Sequence, residues 1–161
     1  VGVRGMRLLN DDKLASMCVI RDPEQEFVLS ITENGYGKRT SVGEYRKAGR
    51  GGQGVANIET SVRNGLVVAS FTVFAEDQLM LVTDAGKVIR IRVDGGEGDV
   101  IRIAGRKTQG VRLFEIDGEE KVVSVGVIRD VDDGHDTEDN KTSGEPQEAE
   151  KDGFSGEQTK E

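Results

Sequence analysis

Apolar and polar residues alternate over short runs along the first 129 positions, and no stretch carries a 3.6-residue apolar stripe. The segment Lys87 to Val93 is the cleanest case. Ile89, Ile91 and Val93 fall on one face and Arg90 and Arg92 on the other. A period of two predicts a half-buried strand with a basic outer face. The run Phe27-Val28-Leu29-Ser30-Ile31-Thr32 leads into Glu33-Asn34-Gly35. Asn-Gly after such a run predicts a β-hairpin with a type I′ turn, because that turn needs positive φ at both central residues. Lys38 and Arg39 then begin the return strand.

The pattern repeats. Placing Gly35 on Gly86 sets an offset of 51 residues that also takes Glu26 to Asp77, Thr32 to Thr83 and Arg39 to Arg90. FVLSIT becomes QLMLVT, RGGQGVANIE (Arg50 to Glu59) matches RKTQGVRLFE (Arg106 to Glu115), and LVVASFTV (Leu66 to Val73) matches KVVSVGVI (Lys121 to Ile128). The chain opens on a partial third copy, GVRGMRL followed by KLASMCVI. Units of about 50 residues with about four short strands predict an all-β, propeller-like array of about two and a half blades. The divisions expected are 1–22 for the end of one blade, 26–75 for a full blade, 76–129 for a final blade, and 130–161 for a disordered acidic tail.

Charge separates the tail from the body. Asp130 to Glu161 holds 12 acids and three cations, whereas Val1 to Arg129 holds 18 acids and 19 cations. The overall charge of −8 therefore belongs to a segment with almost nothing apolar to bury, and such a segment stays disordered. A tethered polyanion of this kind can also compete for a basic surface.

Catalytic chemistry finds little support. Cys18 is the single cysteine, so no intramolecular disulfide forms, and it reads as a small core residue in an apolar strand. The single histidine, His135, lies in the acidic segment. Gly49 to Gly54 (GRGGQG) lacks the Gly-Lys-Ser/Thr ending of a phosphate loop. Asp130 to Asp139 resembles a calcium loop in composition only. Tyr36 and Tyr45 have no catalytic company in sequence. The chain is expected to catalyse nothing by itself and to carry no metal or cofactor. No run reaches membrane-spanning length and no signal peptide is visible, which points to a cytoplasmic setting without membrane contact.

Cations recur at matching places in the units. Lys38, Arg39, Arg46, Lys47, Arg50 and Arg63 face two acids in the first, and Lys87, Arg90, Arg92, Arg106, Lys107 and Arg112 cluster in the second. Recurrent outward cations make a stripe matched to duplex phosphates, and aromatics are too few for stacking on single-stranded bases. These twelve residues are the expected DNA-binding set, with contacts to the backbone and little sequence preference. A merely solvated β surface is the bland alternative, since cations on edge strands discourage aggregation.

ENGYGKRTSVGEY, NGLVVASF, LMLVTDAGKVIRIRV and GRKTQGV closely resemble the last two blades of the C-terminal domain family of the DNA gyrase A subunit. The resemblance implies a six-bladed β-pinwheel with strands exchanged between neighbouring blades and duplex DNA wrapped on its basic rim. It also implies membership of an A2B2 assembly with the B subunit, joined to the remainder of the A subunit. There the breakage domain, ATP and magnesium lie elsewhere, and the holoenzyme is an ATP-dependent type II topoisomerase acting on nucleoid DNA. Arg50-Gly51-Gly52-Gln53-Gly54 matches the last five positions of that family's wrapping motif, with Gln53 in place of a lysine, and Arg106 to Gly110 is a further drift. Two alternatives stay open: a protein-interaction propeller with a basic rim, or the related A subunit of topoisomerase IV. The absent initiator Met and the start inside a repeat fit a piece of a longer protein, whose open strand edges would weaken DNA binding and favour association.

Overall fold

The computed structural model describes residues 1–95 and 101–129. The expected tail, His135 and the Asp130 to Asp139 run lie outside them. Among the described residues are seven strands: β1 Phe27–Thr32, β2 Tyr36–Ser41, β3 Val67–Val73, β4 Gln78–Thr83, β5 Val88–Arg92, β6 Val111–Arg112 and β7 Val122–Ile128. A 3₁₀ turn, Val42–Glu44, follows β2. The strands form two antiparallel sheets, ordered β3-β1-β2-β6 and β5-β4-β7.

The repeat is conserved in register. Phe27 faces Ser41 in the first hairpin and Gln78 faces Arg92 in the second, both displaced by the sequence offset. The turn differs from the type I′ expectation. Only Gly35 has positive φ, 74°, and its N–H donates to the Thr32 carbonyl at 3.1 Å. This is a three-residue turn closed by a left-handed glycine. Gly86, with φ 82°, repeats it on Thr83 at 3.0 Å. Asn34 is held for its amide instead, donating to the carbonyls of Val62 and Arg63 at 3.2 Å each. Its counterpart is Ala85, a residue with no such amide to offer.

Leu29, Ile31 and Val73 of one sheet meet Leu79, Leu81 and Val122 of the other, with Val93 and Ile101, in a core where each is at most 1% exposed. Burying each such side chain contributes roughly 1.5–3 kcal/mol. By the repeat offset Leu79 and Leu81 correspond to Val28 and Ser30, not to Leu29 and Ile31. The units therefore stack head to tail, with opposite faces in contact. The other face of β1 carries a polar network. Ser30 Oγ and Ser70 Oγ lie 3.0 Å apart, Asn57 Nδ2 donates to Ser30 Oγ at 2.6 Å, and Tyr45 OH donates to Asn57 Oδ1. Burial raises the Tyr45 phenol above its usual pKa.

A strand of the second unit completes the sheet of the first. β6 pairs antiparallel with β2 through Tyr36–Arg112 and Gly37–Val111. Ahead of it, residues 101–104 run parallel to β2, with Arg39 N–H donating to Arg102 O at 3.1 Å and Ala104 N–H to Arg39 O at 2.9 Å. The outer edge of β2 is thus closed by its neighbour. The equivalent edge of β5 has no strand partner among the described residues, and Val88 there is 61% exposed.

The first 25 residues form no strand beyond a bridge between Met6 and Gly52. Cys18 is exposed, contrary to the expectation of a core residue. Alternation makes a strand only where a neighbour offers a ladder. This segment meets the first sheet through Ser16 Oγ, which accepts the Ser70 N–H at 2.9 Å. Among the described residues no helix is long and apolar enough to cross a membrane.

Candidate nucleic-acid interface

Two of the twelve expected cations are inside the protein. Lys38 is fully buried; its Nζ donates to the carbonyls of Gly105 at 2.5 Å and Arg106 at 2.8 Å. Arg39 is 7% exposed, its Nε donates to Ile101 O at 2.8 Å, and its guanidinium lies 5.2 Å from the Phe27 ring. Thr40 Oγ1 donates to Ala104 O at 2.8 Å. Three consecutive residues of β2 thus capture the segment wrapped around its edge. Both strand faces are covered there, so neither cation reaches solvent, and neither lies on the expected outer stripe. Burial pushes both pKa values below their usual range. Arg90, which corresponds to Arg39, is exposed on β5 because nothing described covers that strand.

The captured loop ends in cations. Arg106 N–H donates to Glu44 Oε2 at 3.2 Å, and its Nη1 donates to Ala56 O at 2.8 Å. The loop is thereby docked on the 3₁₀ turn, two residues before Arg46 and Lys47. Arg46, Lys47, Arg50 and Lys107 are exposed and have no side-chain partner among the described residues. Gly51 and Gly54 hold positive φ of 76° and 81°, and Gly51 N–H donates to Gly5 O at 2.9 Å. The glycine-rich loop carrying Arg50 therefore serves a contact with the first residues of the chain.

Tyr36 gathers a second group. Arg63 Nε and Arg112 Nη2 donate to its hydroxyl at 3.2 and 3.3 Å, and their guanidiniums lie 5.0 and 5.6 Å from its ring. These hydrogen bonds, that from Arg63 first, lower the phenol pKa, and the same contact raises that of Arg112. The buried amide of Asn64 fixes the turn bearing Arg63, donating to Glu59 O at 2.9 Å and Gln109 O at 3.1 Å. Sequence reasoning left Tyr36 without company, because its partners lie 27 and 76 residues further on. The one local signal was an aromatic directly after the turn glycine.

The remaining cations are engaged. Arg90 Nε donates to Gln78 Oε1 at 2.7 Å, and Arg92 lies 3.0 Å from Asp94. Lys87 bridges Asp117 at 2.7 Å and Glu120 at 2.8 Å. The hydrogen bonds and charge of Lys87 hold both carboxyls below their ordinary range, and the two carboxylates raise Lys87. Folded pKa values below the unfolded ones mean a contribution present at neutral pH and lost as pH falls through the lowered values. In a Tm-versus-pH series the wild type is expected to fall more steeply than Lys87→Met below about pH 4.5, the ordinary glutamate value. Superimposable curves would remove the triad from the stability account. Arg129, absent from the expected set, lies over Phe74 at 5.6 Å and 3.5 Å from Asp77.

The expected cations therefore lie in separate patches, not in one stripe of equivalent positions. Unpaired cations sit on the loops after the 3₁₀ turn and around Lys107, and a guanidinium pair sits on Tyr36.

Comparison with known proteins follows the same lines. The family described as DNA gyrase C-terminal domain, beta-propeller, matches residues 1–20, 26–73 and 77–129. The DNA gyrase A subunit of Rickettsia typhi is 43% identical over 131 residues, covering 81% of this chain and 14% of the relative. That of Salmonella typhimurium is 43% identical, covering 82% and 14%. The chain thus spans about one seventh of the length of these relatives. Among solved structures, a DNA gyrase A C-terminal domain matches with TM-score 0.58 at 26% identity, over 66% of this chain and 34% of that one. A DNA topoisomerase IV C-terminal domain matches with TM-score 0.68 at 24% identity, over 78% and 38%, which speaks to fold alone.

Proposed function

This chain belongs to the DNA gyrase C-terminal domain family, and from that premise we propose that it binds and wraps duplex DNA as part of a gyrase A subunit. Contacts are to phosphates and independent of sequence, and the wrapped segment supports ATP-dependent negative supercoiling by an A2B2 holoenzyme on nucleoid DNA. The chemistry of strand passage, with its ATP and magnesium, belongs to other parts of that assembly.

The observation that carries the reading is the unpaired set Arg46, Lys47, Arg50 and Lys107, exposed on loops that the fold holds in place through Glu44, Lys38 and Gly51. Unpaired surface cations on fixed loops release DNA counterions on binding, which favours association at low salt. Lys38 and Arg39 act behind this surface, not on it.

The test is the salt dependence of binding to a random-sequence duplex. With roughly five phosphates neutralised, log K is expected to fall against log salt with a slope of about −4 to −5. A slope near zero would favour a protein-interaction propeller instead.

A further inference from the structure

We propose that Arg63 and Arg112, held together by Tyr36, form a two-guanidinium clamp for a single DNA phosphate where the two repeat units meet. The proposal rests on the duplex-binding reading and names the ligand group at one point of it.

The two arginines come from different units. Arg63 stands on the turn before β3 of the first, and Arg112 on the exchanged strand β6 of the second. Both donate to one hydroxyl oxygen, so two full positive charges are held close together. Like charges so placed repel and call for an anion between them. The protein supplies little compensation. Glu115 lies 3.6 Å from Arg112 with its side chain 81% exposed, and Arg63 has no carboxylate partner among the described residues. The pair lines an open cleft of about 660 Å³, which exposed Glu119 also lines without an ion pair to either arginine, and in which Glu120 is already taken by Lys87 and Lys121 by Glu33.

The geometry selects phosphate over base. Tyr36 is only 4% exposed, with both guanidiniums within 5.6 Å of its ring, so no base can stack on it. The side chain of Arg112 is 57% exposed, which leaves N–H groups for a phosphate oxygen. The guanidinium fork matches a phosphate in a bidentate fashion, and stacking on the ring fixes its plane beforehand. Tyr36 is thus a positioning residue that touches the arginines and not the DNA. Because Arg112 rides on β6, the clamp exists only when the exchanged strand is docked.

The experiment measures duplex affinity against salt for the full chain and for Arg63→Ala, Arg112→Ala, the double variant, Tyr36→Phe and Glu115→Gln, with Tm as the folding control. One shared phosphate is still neutralised by either arginine alone, so each alanine variant is expected to weaken binding with little change of slope and the double variant to flatten the slope by about 0.9. Tyr36→Phe keeps every charge and the ring, and is expected to weaken binding several-fold by freeing the arginines. Glu115→Gln removes the competing carboxylate and is expected to tighten binding about twofold. Additive flattening of about 1.8 would mean two separate phosphates and overturn the clamp. An unmoved slope in the double variant, or a Tyr36→Phe variant that binds as the wild type does, would also overturn it. A wild-type chain without salt-dependent duplex binding would instead remove the underlying reading.

Discussion

Gly110→Ala is expected to lower stability by about 3–5 kcal/mol and Tm by roughly 10–20 °C, with loss of amide protection at Leu113. Gly110 holds φ +79°, and a Cβ there would lie 2.6 Å from the Gly37 carbonyl oxygen and 2.9 Å from its carbon. The left-handed conformation alone costs a non-glycine residue about 1–2 kcal/mol. The overlap is with backbone, so no rotamer relieves it, and β6 must lift from β2. Its pairing with Tyr36 and Gly37 then goes, together with the bond from Leu113 N–H to Gly35 O at 2.9 Å. The repeat supplies the control. Gly54 is the equivalent residue, with φ +81° and no atom within 4 Å of the place a Cβ would take. Gly54→Ala carries the conformational cost alone, about 1–2 kcal/mol. Equal losses in the two variants, measured by urea unfolding, would show that strand exchange is not what Gly110 protects.

Lys38→Ala is expected to cost about 3–5 kcal/mol, and Lys38→Met about 1–3 kcal/mol. The alanine empties the largest fully buried side-chain volume among the described residues, strips the Arg106 carbonyl of the Lys38 ammonium and leaves the Gly105 carbonyl with Thr108 Oγ1 alone. The methionine refills the stem's space and withholds only the ammonium. Burial has already lowered the Lys38 pKa, so the missing charge is partly offset by the desolvation it no longer suffers. Denaturant unfolding separates the two shares. A methionine variant as unstable as the alanine would assign everything to the hydrogen bonds, and two harmless variants would remove Lys38 as a strut. Both substitutions also loosen the loop carrying Arg106 and Lys107, so duplex affinity is expected to fall although Lys38 touches no DNA.

Lys38 also shows where sequence reasoning stopped. In the run Gly37-Lys38-Arg39-Thr40, two adjacent cations on an edge strand read as solvated or phosphate-facing, because an edge offers nothing else to hold them. The edge is closed by residues 101–112, more than 60 positions away, and their carbonyls take the place of water or phosphate. The contrast between buried Arg39 and exposed Arg90 has the same origin. The repeat makes these positions equivalent in pattern, yet one strand has a covering neighbour and the other has none described. Asn34 was read as a φ-setting turn residue and is a bracket to the Val62-Arg63 carbonyls. That role depends on a turn 28 residues on, which no local signal announces.

The sequence by itself determined the all-β character, both hairpins, their shared register at an offset of 51 residues, and the outward direction of Arg90 and Arg92. These follow from a two-residue side-chain period and from turn glycines, which act within a few residues. The family resemblance implied an exchanged strand, but only the tertiary structure decided that it is β6, paired with Tyr36 and Gly37, that Lys38 and Arg39 lie inside, and that Tyr36 joins Arg63 to Arg112. Each of these depends on which carbonyls, rings and charges stand beside a residue after distant segments pack. A cation's fate is set by its nearest compensating group, and alternation along a strand carries no record of that group.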